Sequence, residues 1–182
     1  MSGLMSITAK GPSPEVRVRR AAARDLDQFA KNTQSVADEG RYLFTEEVTE
    51  ERKKSMAKLF KDRDCLVIIA EVREHGRWKA VGNLTLTRYG DAKKSKHVRV
   101  LGMLLVEGYR GMGIGSRLMT HALQWARDKD GVEKVALGVF SDNKRAYRLY
   151  ERFGFKVEGV RKKHYYIFGK AEDEIDMAVF VK

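Results

Sequence analysis

Arg110-Gly111-Met112-Gly113-Ile114-Gly115 lies between two different hydrophobic patterns. Before it, Val100 to Val106 is an almost continuous apolar run, which predicts a buried strand. After it, Ile114, Leu118, Ala122 and Trp125 recur at helical spacing. The sequence therefore places a glycine-rich turn between a strand and a helix N-terminus. Glycines give such a turn backbone conformations closed to other residues and let a ligand approach closely. The first helical N–H groups have no partner inside the helix and carry partial positive charge. Together these features predict a site for phosphate or pyrophosphate.

Two common phosphate motifs do not fit. A Walker loop ends in Gly-Lys-Ser/Thr, whereas Gly115-Ser116-Arg117 has no lysine. A dinucleotide fingerprint needs a glycine at position 116, where serine stands, and no parallel-sheet repeat follows. What remains is Arg-x-x-Gly-x-Gly at Arg110, Gly113 and Gly115. A second block follows: Leu137-Gly138-Val139, then Asn143, Ala146, Leu149-Tyr150 and Phe153-Gly154-Phe155. In order and spacing the two blocks resemble the coenzyme A loop and the Leu-x-Val…Asn-x-x-Ala-x-x-Leu-Tyr-x-x-x-Gly-Phe signature of the GNAT superfamily of N-acetyltransferases. The resemblance covers roughly residues 16 to 181, and its specific motifs lie within 100–155.

The resemblance implies an α/β protein, with a mixed sheet splayed open at the cofactor and flanked by four helices. The patterns along the chain give the order β-α-α-β-β-β-α-β-α-β-β. Val16 and Val18 alternate with arginines in a first strand. Leu26, Phe29, Ala30, Thr33 and Ala37 mark a helix face, and Thr49 caps a second helix. Between them, Gly40 to Val48 reads as a loop, and Glu39, Glu46 and Glu47 belong to the region that borders the acceptor site in the GNAT fold. Cys65 to Val72 and Lys79 to Thr87 read as strands, the first buried on both faces. Phe155 to Phe168 and Glu174 to Val181 read as a terminal hairpin around Gly169-Lys170. Residues 1–14 are small, polar and broken by two prolines, and are expected to be a disordered arm ahead of one domain spanning 15–182.

The 182 residues carry one cysteine and a formal net charge of +11. Cys65 heads an apolar strand and is read as a small hydrophobe. With no signal peptide or membrane-length apolar run visible, a cytoplasmic protein is expected. The charge admits nucleic acid, an acidic partner or a polyphosphorylated cofactor. No aromatic residue interleaves Lys93-Lys94-Ser95-Lys96, so nucleic acid is disfavoured. No metal is expected, and the oligomeric state, a homodimer among the options, stays open.

The resemblance implies acetyl-CoA as acetyl donor and direct transfer to a primary amine, on a protein lysine or N-terminus. A small amine such as a polyamine or antibiotic is the alternative acceptor, and a non-catalytic acetyl-CoA-binding module the alternative role. For the cofactor it implies backbone groups of Leu104, Leu105 and Val106 and of Arg110, Gly111, Met112, Gly113, Ile114, Gly115 and Ser116, together with Asn143 and Tyr150. The Arg110 side chain either meets phosphate or caps the turn. Tyr150 matches the family's acid; a phenol with an ordinary pKa of about 10 stays protonated at neutral pH and can donate to the leaving thiolate. The base is open between Glu71, on a buried strand, and His97, at the start of the central one. Tyr165 and Tyr166 are expected to contact the acceptor. Some protein N-terminal acetyltransferases carry histidine inside Leu-x-Val; this chain has Gly138 there.

Overall fold

The computed structural model describes residues 14–182, so all but the last residue of the expected arm lies outside the described residues. Its elements run β1 (Val16–Arg20), α1 (Leu26–Ala37), α2 (Glu50–Lys61), β2 (Leu66–Glu74), β3 (Arg77–Arg88), β4 (Val98–Leu105), α3 (Ile114–Asp128), β5 (Lys134–Phe140), α4 (Lys144–Arg152), β6 (Lys156–Ile167) and β7 (Lys170–Phe180). This is the order expected from the sequence patterns. The strands form one seven-stranded sheet, ordered β1-β2-β3-β4-β5-β7-β6, in which β4 and β5 alone run parallel.

Helices cover both faces, which is why β2 reads as an unbroken apolar run. Leu66, Ile68, Ala70 and Val72 join the core with Leu118, Met119, Ala122 and Leu123 of α3. Val67 and Ile69 point the other way, onto Phe29 of α1. Helix α2 buries no residue fully; it leans on α1 through an edge-on contact of Phe60 with Phe29 at 5.2 Å. Its start is fixed by Thr49, whose side chain accepts the Arg52 N–H at 3.2 Å.

The last hairpin is tighter than expected. Strand β7 begins at Lys170, because Phe168 and Gly169 both have positive φ (50° and 75°) and make a two-residue turn. Glu174 therefore sits inside a strand and not at its start. Across from it β6 bulges: Arg161 pairs with Glu174 and Tyr165 with Glu172, leaving residues 162–164 opposite Asp173. Asp173 holds the bulge by accepting from the Lys163 N–H (2.7 Å) and Lys162 Nζ (2.8 Å).

Candidate active site

The parallel strands β4 and β5 separate. Val98, Arg99 and Val100 pair with Lys134, Val135 and Ala136, and the pairing stops there, although β4 continues to Leu105 and β5 to Phe140. The space between them opens into a cleft of about 1230 Å³. The Val106 N–H donates to Val81 on β3 at 2.9 Å. By strand alternation, the backbone groups of Leu104 also face β3, and those of Met103 and Leu105 face the cleft. Of the three strand residues expected at the cofactor, Leu105 thus offers its amide and Leu104 only its side chain. Val106 is a correction: its N–H is spent on β3, and it does not line the cleft.

The glycine turn closes one end. Gly111 and Gly113 have φ of 81° and 78°, conformations that a side chain disfavours. Gly113 is the N-cap of α3 and no side chain caps that helix, so its first-turn N–H groups face outward. Gly111, Gly113, Gly115 and Ser116 line the cleft. Met112 is half exposed and Ile114 is fully buried in the core, so their side chains do not.

The Arg110 side chain is held within the protein. Its Nε donates to the Leu105 carbonyl at 2.8 Å, its Nη1 to Glu39 at 2.7 Å, and its Nη2 also to Glu39. Its guanidinium lies 4.7 Å from the Tyr42 ring centre. All three guanidinium nitrogens are engaged, and Glu39 holds the arginine protonated. This bridge also ties the 38–49 loop across the cleft. Arg41 adds a second tie, donating to Asp142 at 2.9 Å.

At the β5–α4 junction, Asn143 lines the cleft while its side chain accepts the Ala146 N–H at 3.2 Å and caps α4. Tyr150 is buried, packs on Phe155 at 5.7 Å and reaches the cleft wall. Burial pushes its pKa up to about 12, so its hydroxyl keeps its proton at neutral pH.

Neither expected base is at this site. Glu71 is buried on β2 outside the cleft, where Arg17 Nε (2.6 Å), Arg19 Nε (2.9 Å) and Arg19 Nη2 (3.0 Å) donate to it. Burial alone would raise its pKa, but the two guanidiniums hold the carboxyl below its usual range. It is a structural ion pair. His97 precedes β4 at the closed end, its carbonyl tied to the N–H groups of Glu133 and Lys134. At about 3.3 Å per residue, it is some 20 Å from Met103. Tyr166 is 76% exposed and does not line the cleft.

Beside Tyr165, which the sequence singles out, the structure brings in Phe44, Phe140 and Glu174, which it does not. Phe44, Phe140 and Tyr165 pack mutually, with ring centres 4.6, 5.2 and 5.3 Å apart. Glu174 is 6% exposed, lines the cleft with Phe44, Phe140 and Gly138, and accepts from Arg161 at 3.0 Å. The charge inside a strand, Glu174-Ile175-Asp176, was a visible signal, but misplacing the start of β7 hid it.

The model of the acetyltransferase (GNAT) family matches residues 30–155. Among curated proteins, the L-amino acid N-acetyltransferase AaaT of Escherichia coli is 31% identical over 54% of this chain and 60% of its own length. The N-alpha-acetyltransferase MAK3 of Arabidopsis thaliana is 35% identical over 50% of this chain and 46% of its own. The chain thus spans about half the length of these relatives. An N-alpha-acetyltransferase of Sulfurisphaera tokodaii is 28% identical over 86% of this chain and 89% of its own. Among solved structures, yncA from Salmonella typhimurium with its cofactor acetyl-CoA superposes with a TM-score of 0.81 at 16% identity, over 92% of this chain and 95% of that one.

Proposed function

Because the chain belongs to the GNAT family of acetyltransferases, we propose that it moves an acetyl group from acetyl-CoA to a primary amine by direct transfer. One observation carries this reading: β4 and β5 part directly beside a glycine turn whose helix leaves its first N–H groups free. The residues suit the donor at each part of its length. The N–H groups of Gly111 to Ser116 would hold the pyrophosphate. The cleft-facing amides of Met103 and Leu105 would pair with the pantetheine arm, as an added strand pairs with a sheet edge. Acetyl-CoA supplies an activated thioester; a strand amide at its carbonyl would stabilise the negative charge that grows there. Tyr150, neutral and hydrogen-bearing, would give its proton to the departing sulfur. The Arg110–Glu39 bridge positions this machinery without touching it.

The acceptor we propose is the α-amine of a protein or peptide. The Arabidopsis and Sulfurisphaera relatives bear the name N-alpha-acetyltransferase, and the cleft is open and walled by aromatic residues. A free amino acid is the second reading, favoured by Arg52. It lines the cleft, its one side-chain partner among the described residues is the Thr45 hydroxyl at 2.7 Å, and it would suit a carboxylate. Coenzyme A release, measured with N-terminal peptides, lysine peptides, free amino acids and polyamines, decides between them. Turnover confined to N-terminal peptides supports the first reading. Turnover confined to free amino acids, lost in Arg52→Ala, supports the second. Acetyl-CoA binding without turnover on any amine defeats both.

A further inference from the structure

Phe44, Gly138 and Glu174 come from a loop, β5 and β7 and converge on one point of the cleft wall. A Cβ on Gly138 would lie 2.2 Å from Glu174 Oε1 and 3.4 Å from Phe44 Cζ. The missing side chain at Gly138 is what lets the carboxylate lie across β5. Glu174 has one oxygen paired within the protein and the other open to the cleft. Its Oε2 accepts from Arg161 Nη1 at 3.0 Å, the Tyr165 hydroxyl lies beside the carboxylate, and no further donor among the described residues bonds Oε1. Arg161 itself is shared: its Nε and Nη2 go to Asp176 at 3.1 and 3.2 Å. The oxygen open to the cleft is the one over Gly138.

We propose that Glu174 receives the acceptor ammonium at Oε1 and takes its proton before attack. This rests on the amine-acetyltransferase reading above. An N–H bond of the ammonium breaks and an O–H bond forms on Glu174. The freed nitrogen lone pair then bonds the acetyl carbon as the carbon–sulfur bond breaks. Tyr150 protonates the sulfur and is restored by the second amine proton, while the proton on Glu174 returns to water. The aromatic faces of Phe44, Phe140 and Tyr165 beside this carboxylate favour a cation at the same place. The titratable groups that face Glu174 are Arg161, His164 (Nε2 4.0 Å from Oε2) and Tyr165, all from β6, with Asp176 beyond Arg161. Strand β5 and the loop present Gly138, Phe140 and Phe44, none of which titrates.

The test uses two variants of the full chain. Glu174→Gln keeps the shape and removes the base. Gly138→Ala keeps the carboxylate and pushes it off β5. At neutral pH we expect kcat/KM for the amine to fall about 100-fold in Glu174→Gln and about tenfold in Gly138→Ala. Affinity for acetyl-CoA, measured by calorimetry, stays within about twofold of the parent in both. The deficit of Glu174→Gln shrinks as pH rises towards the acceptor's own pKa, because solution then supplies the free amine. Parent-like kcat/KM, a deficit equal at every pH, or loss of acetyl-CoA affinity alongside activity would each overturn the proposal. A parent enzyme that acetylates no amine defeats the amine reading itself, before either variant is read.

Discussion

Glu71 and Glu174 are both carboxylates buried inside strands, 5% and 6% exposed, yet their surroundings assign them opposite work. Glu71 sits near one edge of the sheet with two arginines donating to it, outside the cleft. Glu174 sits near the other edge with one shared arginine, and its second oxygen lies at the cleft over a glycine. Burial alone does not distinguish a structural charge from a chemical one. What distinguishes them is whether the partners already present satisfy both oxygens. Where they do, the charge fastens strands together; where they do not, a place is left for a cation from outside.

The strongest way to break this contrast is to remove Glu71. Breaking a buried, hydrogen-bonded charge pair costs about 4 kcal/mol, because the partner charge is left behind. Arg19 keeps Asp25, which it holds at 2.7 and 2.8 Å, so some of that cost is offset. Urea unfolding of Glu71→Ala should show the loss, while turnover per folded molecule stays at the parent value. Lost turnover in a fully folded sample would return Glu71 to the chemistry.

The next largest effect lies on the acid side. Tyr150→Phe keeps the ring against Phe155 and deletes the proton, so kcat should fall about 100-fold, or about 2.7 kcal/mol. Acetyl-CoA affinity should stay at the parent value, and equal losses in both would make Tyr150 a packing residue. Gly113→Ala comes third. No atom lies within 4 Å of the added Cβ, so the cost is backbone strain at φ 78° of about 1–2 kcal/mol. It should appear as roughly tenfold weaker acetyl-CoA binding in calorimetry, with the fold retained.

These residues also mark how far the sequence could be read. The glycine turn, Tyr150 and the element order were legible because they depend on local spacing: hydrophobic period, turn chemistry and a helix cap. Arg110 was half legible; its place was clear, but its partner Glu39 is 71 residues away. The partners of Glu71 were out of reach for the same reason. Glu71 is buried by a strand pattern that anyone can see, and neutralised by Arg17 and Arg19, whose register against β2 only the folded sheet supplies. Glu174 was hidden by a boundary error of four residues, since a Phe-Gly turn carries a weaker hairpin signal than Asn-Gly. The meeting of Gly138 with Glu174 joins two strands through one missing methyl group, which no single-strand pattern encodes.

The smallest effect is a slope rather than a loss, and it tests the structural half of the contrast. The carboxyls of Glu71 and Asp25 are both held below their ordinary values of 4.5 and 3.8; for Glu71 the Arg19 and Arg17 guanidiniums outweigh burial, and for Asp25 the Arg19 guanidinium is the main cause. At a pH just below those values the unfolded chain binds protons at these groups and the folded chain does not. Stability therefore rises with pH in that window: the contribution is complete above about 4.5 and drains away as pH falls through the lowered folded values. One such group gives a slope of at most about 1.4 kcal/mol per pH unit. Unfolding free energy measured from pH 6 downwards should show this acid limb in the parent and a flatter one in Glu71→Gln. Asp25→Asn should flatten it too, and the two changes together should fall short of their sum, because Arg19 serves both carboxylates. A limb unchanged in Glu71→Gln would mean that the arginines do not stabilise its charge, and the distinction between the two buried glutamates would lose its physical basis.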